Sequence, residues 1–239
     1  MSPVSKKNLN QQSTAITDER IIGHFVNDPD NPFLVSFPRT GSHWLRMLME
    51  LYFERPSLVR VFFYPDCPDY LTLHTHDLDL DVRRKSVIYL YRDPAETIFS
   101  QLKYHREDTR DIQKITEWSR LYGSHLYKWL VEERFTEKKT VINYERLQKD
   151  LEAEFRKVVS HFNRMFDEDR LREISQKVDK NRVKKKTKHD KQVITISNRY
   201  ETERQHFMRM YSQMVRDVIL TDRAELGPFL NKQTDEPIQ

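Results

Sequence analysis

Glycine is scarce in this chain. Only four glycines occur among 239 residues, and no two of them are close in sequence: Gly23, Gly41, Gly123 and Gly227. The motifs G-x-G-x-x-G and G-x-x-x-x-G-K-[ST] need closely spaced glycines, so neither can occur. The two common glycine-rich nucleotide-binding loops are therefore excluded.

Cysteine and long apolar runs are also nearly missing. The single cysteine, Cys67, excludes an internal disulfide and a metal site built from several cysteines. No apolar run approaches the roughly 20 residues of a membrane-spanning helix, and no signal-peptide pattern opens the sequence. We therefore expect a soluble, cytoplasmic protein.

The composition is otherwise that of a globular protein with a polar surface. Apolar residues make up 37% of the chain and aromatic residues 11%, which is too aromatic for a disordered chain. The formal net charge of +4 mildly favours an anionic ligand, but it is too small to indicate nucleic acid as a partner. We predict one domain over 21–230, preceded by a flexible arm over 1–20 and followed by a tail over 231–239.

Apolar runs typical of strands alternate with helical patterns along the chain. We predict strands over 33–37, 70–76, 87–91 and 140–143, and helices over 44–53, 95–104, 112–134, 151–166, 169–178 and 199–220. In the first of these helices Arg46 and Glu50 are spaced to share one exposed stripe. The alternation predicts a single-domain α/β fold with a mainly parallel sheet flanked by helices. Ligands bind beyond the carboxyl ends of such strands, here at 38–43, 74–77, 92–100 and 143–145.

The segment SFPRTGSHW joins the first predicted strand to the first of these helices. Backbone N–H groups at a helix N-terminus are unpaired and bind anions. Gly41 permits the close approach of a ligand, Ser42 offers a hydroxyl and Arg39 a fixed charge. The loop therefore predicts a phosphate or sulfate cradle, although an ordinary turn capped by serine has the same local pattern.

A second candidate anion site follows the strand over 87–91. Arg92 ends that strand, and Asp93 and Pro94 supply an N-cap and a first-turn proline for the next helix. Ser100 lies in the second turn of this helix, where Arg92 and Ser100 together fit an anionic group. The alternative is that Arg92 pairs with a carboxylate such as Asp93, and that Ser100 is a surface residue.

Together these segments resemble a known family. FPRTGSHW is similar to the 5′-phosphosulfate loop of PAPS-dependent sulfotransferases, usually Y-P-K-S-G-T-T-W, and YRDPAETIFS is similar to their 3′-phosphate motif. LTLHTHDL resembles the family's K-T-H-L segment and VINYERL its Y-E-D-L segment, in the same order. The resemblance covers about 33–150 and is poor in the C-terminal third. It implies the cytosolic-type sulfotransferase fold, with a P-loop-like strand–loop–helix site. It also implies transfer of a sulfuryl group from PAPS (3′-phosphoadenosine 5′-phosphosulfate) to an acceptor hydroxyl, with PAP as the product.

The resemblance also implies a role for each matching residue. His76 stands in the place of the catalytic base, and Arg39 in the place of a lysine that stabilises the oxygen left behind by the sulfuryl group. Arg92 and Ser100 would bind the 3′-phosphate, and Tyr144 would contact the adenine. The 5′-phosphosulfate and adenine side would be lined by Arg39, Thr40, Gly41, Ser42, His43 and Trp44. The scheme needs no metal, and its acceptor is a small molecule or glycan that bears a hydroxyl.

Two positions depart from the family's pattern. Arg39 keeps the positive charge of the usual lysine, but a guanidinium with a pKa above about 12 does not donate a proton. Arg39 would therefore act as a purely electrostatic stabiliser. His74 replaces the lysine expected just before Thr75 and His76, and no role is carried over to it.

His76 has two other interpretations. His74 and His76 alternate along a strand and share a face, so the pair also fits metal ligands. The metallo-hydrolase pattern H-x-H-x-D-H is not met, because Leu78 stands where the pattern needs aspartate and Asp79 where it needs histidine. An exposed pair of histidines at a strand end is the other alternative, and the family resemblance favours the base.

Residues 182–191 form a basic run, RVKKKTKHDK. The family has a late basic segment that closes over the 3′-phosphate, so Lys184, Lys185 and Lys186 are candidate nucleotide ligands as a group. A solvated surface and a nucleic-acid contact are the alternatives. For the whole chain, two other functions stay open. One is a phosphoryl-transfer kinase with an atypical phosphate loop, and the other is a non-enzymatic module that binds anions or nucleic acid.

Overall fold

A five-stranded parallel sheet forms the centre of the molecule. The computed structural model describes residues 12–178, 183, 186–187 and 197–230. The strands are β1 (Thr14–Ala15), β2 (Phe33–Ser36), β3 (Ser57–Leu58), β4 (Arg60–Val61), β5 (Thr72–Thr75), β6 (Ser86–Tyr91) and β7 (Lys138–Asn143). β2 lies in the middle of the order β3-β5-β2-β6-β7, and each neighbouring pair is parallel.

Helices cover both faces of this sheet. They are α1 (Glu19–Asn27), α2 (Ser42–Phe53), α3 (Pro94–His105), α4 (Ile112–Leu130), α5 (Tyr144–Lys149), α6 (Leu151–His161), α7 (Glu168–Ser175), α8 (Asn198–Asp222) and α9 (Gly227–Leu230), with a 3-10 turn at Ala224–Leu226. Alternate residues of β2 face opposite sides, so Val35 packs with α3, α4 and α8, and Leu34 packs with α2, α6 and α7. The predicted α/β fold with a mainly parallel sheet is confirmed. Of the helices described, none combines the length and the apolar character needed to cross a membrane.

The predicted strands correspond to β2, β5, β6 and β7, with ends that differ by one or two residues. The prediction for 151–166 extends past the end of α6, because Asn163 adopts a left-handed conformation (φ 51°) that ends the helix. The elements β3, β4 and α5 were not predicted, since each is too short for a clear periodicity. The helix α1 was also missed, although Ile22 and Phe25 recur at helical spacing. Within the predicted N-terminal arm, β1 pairs with β4 in an antiparallel ribbon.

The N-terminus of α3 forms as the sequence predicts. The Asp93 side chain accepts a hydrogen bond from the backbone N–H of Glu96 (3.1 Å), and Pro94 occupies the first turn. This cap begins the helix immediately after β6. Arg92 is therefore fixed at the carboxyl end of β6, and Ser100 follows on the second turn of α3.

The prediction of an exposed stripe on α2 is wrong. Arg46 and Glu50 are 2% and 1% exposed, because the segment 57–64 covers this face of the helix. The Glu50 carboxylate accepts hydrogen bonds from the backbone N–H groups of residues 62–64, and Arg46 donates to Ser57 Oγ and to the carbonyl of Arg60. A polar pair at helical spacing does not distinguish solvent from an irregular backbone segment that needs polar partners.

Candidate active site

Loops from four strands meet at the carboxyl edge of the sheet. Arg39, in the loop after β2, donates from Nε to the hydroxyl of Ser100 on α3 (3.1 Å). Arg92, at the end of β6, lies with Nη1 3.4 Å from the carbonyl oxygen of Arg39. The Arg92 guanidinium also lies over the ring of Tyr144, after β7, at 5.0 Å from the centroid. Residues that are far apart in the sequence are therefore in direct contact at this edge.

The loop after β2 ends at the N-terminus of α2, which no described side chain caps. Gly41 caps α2 in a left-handed conformation (φ 87°), and no side chain among the described residues hydrogen bonds to this cap. Ser42 is the first residue of α2, which does not fit the alternative of a turn capped by serine. Thr40 is buried and donates its hydroxyl proton to the carbonyl of Phe37 (2.9 Å), which closes the turn. The first backbone N–H groups of α2 can therefore donate hydrogen bonds to a bound anion.

Gly41 is packed directly against Tyr144. A Cβ added at Gly41 would lie 2.8 Å from Cδ2 of the Tyr144 ring, which is closer than a real Cβ contact allows. The ring of Trp44 meets the ring of Tyr144 edge-on at 6.1 Å. Glycine at this position thus permits both the positive φ and the close approach of this aromatic pair.

We expect Gly41→Ala to lower the free energy of unfolding by about 1–3 kcal/mol, because alanine is strained at this φ and its Cβ meets Tyr144. Urea denaturation measures the change. Gly23→Ala is the matched control, since Gly23 lies within α1 and no heavy atom is within 4 Å of its added Cβ. We expect that variant to gain roughly 0.5–1 kcal/mol. Equal stability of the two variants would contradict the close packing at Gly41.

The second candidate anion site is organised by ion pairs. Arg92 pairs with the carboxylates of Glu96 (3.2 Å) and Glu145 (3.7 Å), so the alternative that Arg92 pairs with a carboxylate is confirmed, although neither carboxylate is that of Asp93. The buried Nε of Arg92 makes no hydrogen bond to any described residue. Ser100 is buried, at 5% exposure, and is not a surface residue. Arg92 Nε forms the 3.7 Å ion pair with Glu145 but no hydrogen bond among the described residues, so it is a donor suited to a phosphate.

His76 is held in one orientation by a backbone carbonyl. Its Nδ1 lies 2.7 Å from the carbonyl oxygen of Ser36. Because a carbonyl only accepts, Nδ1 carries the proton, and Nε2 of the neutral ring carries the lone pair. Burial lowers the pKa of His76 below its ordinary value, and the positive charges of Arg46 and Arg39 add to this effect. No described side chain hydrogen bonds to Nε2, so this nitrogen can accept a proton at neutral pH.

Two other histidines lie near His76. The His74 ring packs edge-on against His76 at 4.9 Å, and His74 Nε2 lies 3.0 Å from the hydroxyl of Ser36. Burial, together with the positive charges of Arg46 and Arg60, lowers the pKa of His43 to about 3, which makes it a poor base. Within the described ranges, no group of three or more His, Cys, Asp or Glu side chains is arranged to hold a metal ion.

Most of the basic run lies outside the described residues, including Lys184 and Lys185. Lys186 is buried, and its Nζ donates to the carbonyl of Phe62 (2.6 Å). The chain that leads into the run is attached to α2, because Trp44 Nε1 donates to the carbonyl of Val178 (3.0 Å).

Sequence reasoning missed several buried polar residues behind the site. Tyr122 and His125 on α4 hydrogen bond to the backbone of Arg92 and His76, and Arg204 on α8 forms an ion pair with Glu96. Tyr122 and His125 belong to an otherwise apolar helix face, where aromatic residues normally form core. Nothing in the sequence pattern distinguishes them from such residues.

Comparisons with known proteins agree with this arrangement. A family model described as a sulfotransferase domain matches residues 66–218, which is more than half of the chain. The matched range contains His76, Arg92, Ser100 and Tyr144, but it begins after the loop that carries Arg39. No curated protein sequence matches the chain.

Solved structures of similar fold include two complexes with PAP. Mouse sulfotransferase SULT7A1 complexed with PAP is 16% identical, with a TM-score of 0.50, over 84% of this chain and 93% of the other. Retinol dehydratase in complex with androsterone and the inactive cofactor PAP is 12% identical, with a TM-score of 0.53, over 100% of this chain and 96% of the other. At these identities the similarity shows a common fold.

Proposed function

Because the chain belongs to the sulfotransferase domain family, we propose that it transfers a sulfuryl group from PAPS to a hydroxyl of a small-molecule or glycan acceptor and releases PAP. One observation carries the proposal. At one edge of the sheet, His76 presents a free Nε2 beside two groups of anion donors, the loop before α2 and the Arg92–Ser100 pair. A base next to two separated anion sites fits a nucleotide with phosphate groups at both ends.

The donor sets of this chain fit the two ends of PAPS. The uncapped N-terminus of α2, with Ser42, would hold the 5′-phosphosulfate. Arg92 and Ser100 would hold the 3′-phosphate. Arg92 Nε lacks a hydrogen bond within the described residues, and both side chains contact Arg39, Ser100 through its hydroxyl and Arg92 through the Arg39 carbonyl oxygen. Tyr144 and Trp44 form an aromatic pair next to Gly41, and we propose that they contact the adenine. The other proposed ligands of this side are Thr40, Gly41 and His43.

His76 would act as the general base. PAPS supplies the activated sulfuryl group, and the chain's residues supply the proton acceptor and the positive charge. His76 Nε2 takes the proton of the acceptor hydroxyl as the new bond from this oxygen to sulfur forms and the bond from sulfur to the phosphate oxygen breaks. Since Nδ1 donates to Ser36, the ring is oriented before the acceptor arrives.

Arg39 would neutralise the negative charge that develops on the departing phosphate oxygen. Its Nε donates a hydrogen bond to Ser100 Oγ, so its charge lies beside the proposed 3′-phosphate site, while its backbone belongs to the loop before α2. Its guanidinium also lies 5.3 Å from the ring centroid of Tyr104. A fixed cation at this position favours the transition state electrostatically and does not donate a proton.

The basic run would complete the nucleotide site. This part of the proposal is supported by the hydrogen bond between Trp44 Nε1 and the carbonyl of Val178, which holds the chain four residues before the run against α2. Lys184 and Lys185 would approach the 3′-phosphate, together with Lys186, whose ammonium group already has the Phe62 carbonyl as a partner.

We expect PAP to raise the melting temperature far more than AMP, which lacks the 3′-phosphate, and without added metal. A ligand at about 100 times its Kd adds roughly 2.7 kcal/mol, which corresponds to about 5–10 °C for a chain of this size. Differential scanning fluorimetry with PAP, AMP and ATP plus magnesium measures the three shifts. Equal shifts for PAP and AMP would contradict a 3′-phosphate site, and a larger shift for ATP plus magnesium would favour the kinase alternative.

Variants in the same assay assign the two phosphate sites. Arg92→Gln should reduce the difference between PAP and AMP, and Glu96 keeps Arg204 as a partner in this variant. Replacement of Lys184 and Lys185 by neutral residues should also weaken PAP binding. If PAP binding is unchanged while affinity for DNA falls, the basic run contacts nucleic acid and not the nucleotide.

A further inference from the structure

His125 lies on α4 and reaches the backbone of His76. Its Nε2 is 2.8 Å from the carbonyl oxygen of His76, and its Nδ1 is 2.9 Å from the hydroxyl of Tyr89. Because the carbonyl only accepts, Nε2 carries the proton, and Nδ1 accepts from Tyr89. Burial lowers the pKa of His125 to about 3, so the ring is neutral and its tautomer is fixed at neutral pH.

His76 is therefore held at two points. His125 fixes its carbonyl group, and the carbonyl of Ser36 fixes its ring. The next residue, Asp77, has a positive φ of 38°, a conformation that is costly for a residue other than glycine. Arg84 holds Asp77 through two hydrogen bonds of 3.0 and 2.9 Å. A turn of this kind keeps a single conformation only when neighbouring groups fix it, and His125 supplies the contact on the side of α4.

The same face of α4 fixes the other end of the site. The hydroxyl of Tyr122 accepts from the backbone N–H of Arg92 (3.1 Å) and donates to its carbonyl oxygen (2.9 Å). Phe37, at the start of the loop before α2, packs against the rings of Tyr122 and His125, with centroids 4.6 and 5.5 Å apart. One helix face thus contacts the loops that follow β2, β5 and β6.

We propose that His125 is a positioning residue, which sets the geometry of His76 by donating a hydrogen bond to its carbonyl oxygen. The proposal rests on the proposed function, because it takes His76 as the base. The hydrogen bond acts through the backbone, so it affects the rate of the chemical step and not the affinity for the nucleotide. A displacement of a reacting group by about 1 Å costs on the order of 10²-fold in rate.

Two substitutions, His125→Gln and His125→Asn, both keep a polar side chain, but only the first keeps the hydrogen bond to His76. The amide nitrogen of glutamine can occupy the position of Nε2 and keep the bond to His76, whereas the shorter asparagine reaches only Tyr89. We expect His125→Asn to lower kcat by on the order of 10²-fold, with PAP affinity within a few-fold of the native value. His125→Gln should recover most of the rate. Histidine NMR should show that the Nδ1–H tautomer of His76 loses population in His125→Asn only.

His161 is the matched control. It is a buried histidine with two hydroxyl partners, Ser86 Oγ (3.0 Å) and Thr140 Oγ1 (2.9 Å), and it lies away from the carboxyl edge. His161→Asn should lose stability comparable to that lost by His125→Asn while kcat is unchanged. Tyr122→Phe should instead weaken PAP binding through Arg92.

Native turnover in His125→Asn, or equal loss in His125→Asn and His125→Gln, would overturn the positioning role. His76→Ala, measured in parallel, distinguishes this failure from failure of the proposed function. If His76→Ala is inactive and His125→Asn is fully active, only the positioning role is wrong. If His76→Ala keeps its turnover, the assignment of the base is wrong.

Discussion

Alanine in place of His76 is expected to lower kcat by about 10²–10⁴-fold, the usual contribution of a general base. The affinity for PAP should stay within a few-fold, because the substitution removes neither the N-terminus of α2 nor the Arg92–Ser100 pair. Steady-state kinetics and PAP titration of the same preparation measure the two quantities. A variant with near-native turnover on an acceptor whose hydroxyl is not acidic would contradict the assignment.

His74→Ala is the control for this prediction. The His74 ring touches the His76 ring, but its Nε2 is already engaged by the hydroxyl of Ser36. We therefore expect a much smaller loss in kcat. If both alanine variants lost activity equally and added zinc restored it, the two histidines would be metal ligands.

The pH dependence of kcat/KM also tests whether His76 is the general base. His76 must be neutral to accept the proton, so activity is lost as the pH falls through its pKa. Burial lowers the pKa of His76, and the acid limb should therefore lie below the ordinary histidine value of about 6.5. This limb should be absent from the residual activity of His76→Ala.

Arg39→Met is expected to lower kcat by about 10²–10³-fold, the cost of removing one group that stabilises the developing negative charge. The reason is that Arg39 belongs to the loop proposed to hold the 5′-phosphosulfate and supplies a positive charge fixed by the hydrogen bond to Ser100. Arg39→Lys keeps that charge and restores the residue that is usual in the family, so it should recover most of the rate. Pre-steady-state measurement of PAP formation follows this step directly.

Because Arg39 lies next to Ser100, the PAP affinity of the Arg39 variants distinguishes two roles for this residue. If Arg39 acts on the departing oxygen, kcat falls and the Kd for PAP also rises, because this oxygen stays on the 5′-phosphate of PAP. A large rise in the Kd for PAP with unchanged kcat would instead make Arg39 a ligand of the 3′-phosphate. Arg39 has a left-handed backbone (φ 72°), and lysine and methionine are equally strained there, so backbone strain does not account for a difference between the two variants.

Parts of the fold could be predicted because their sequences are unambiguous. The unbroken apolar run of β6 is typical of a strand covered on both faces, and Asp93 with Pro94 marks the start of α3. The two-residue strands β3 and β4 have no such signal, because their positions depend on contacts with β5 and β1. Arg46 and Glu50 show the same limit, since their partners are backbone groups of a segment with no regular pattern.

The candidate site was predictable where its residues lie just after the carboxyl ends of the strands. Gly41 and Arg92 follow strand ends, and Ser100 lies two turns into the helix that Asp93 caps, so local sequence signals place all three, and the parallel sheet brings their strands to one edge. The contacts that join them are not local. Arg39 meets Ser100 across 61 residues, and His125 meets His76 across 49. Such pairings are set by the packing of α4 and α3 on the sheet and leave no trace in a short stretch of sequence.

The central claim is tested most directly by following the label from ³⁵S-PAPS into acceptors of three classes, phenols, aliphatic alcohols and sugars, without added metal. We predict that at least one class becomes labelled, that PAP appears in equal amount, and that His76→Ala forms neither product at a comparable rate. A protein that binds PAP but labels no acceptor would be a binding module. Transfer of label from γ-³²P-ATP, with none from ³⁵S-PAPS, would contradict sulfuryl transfer altogether.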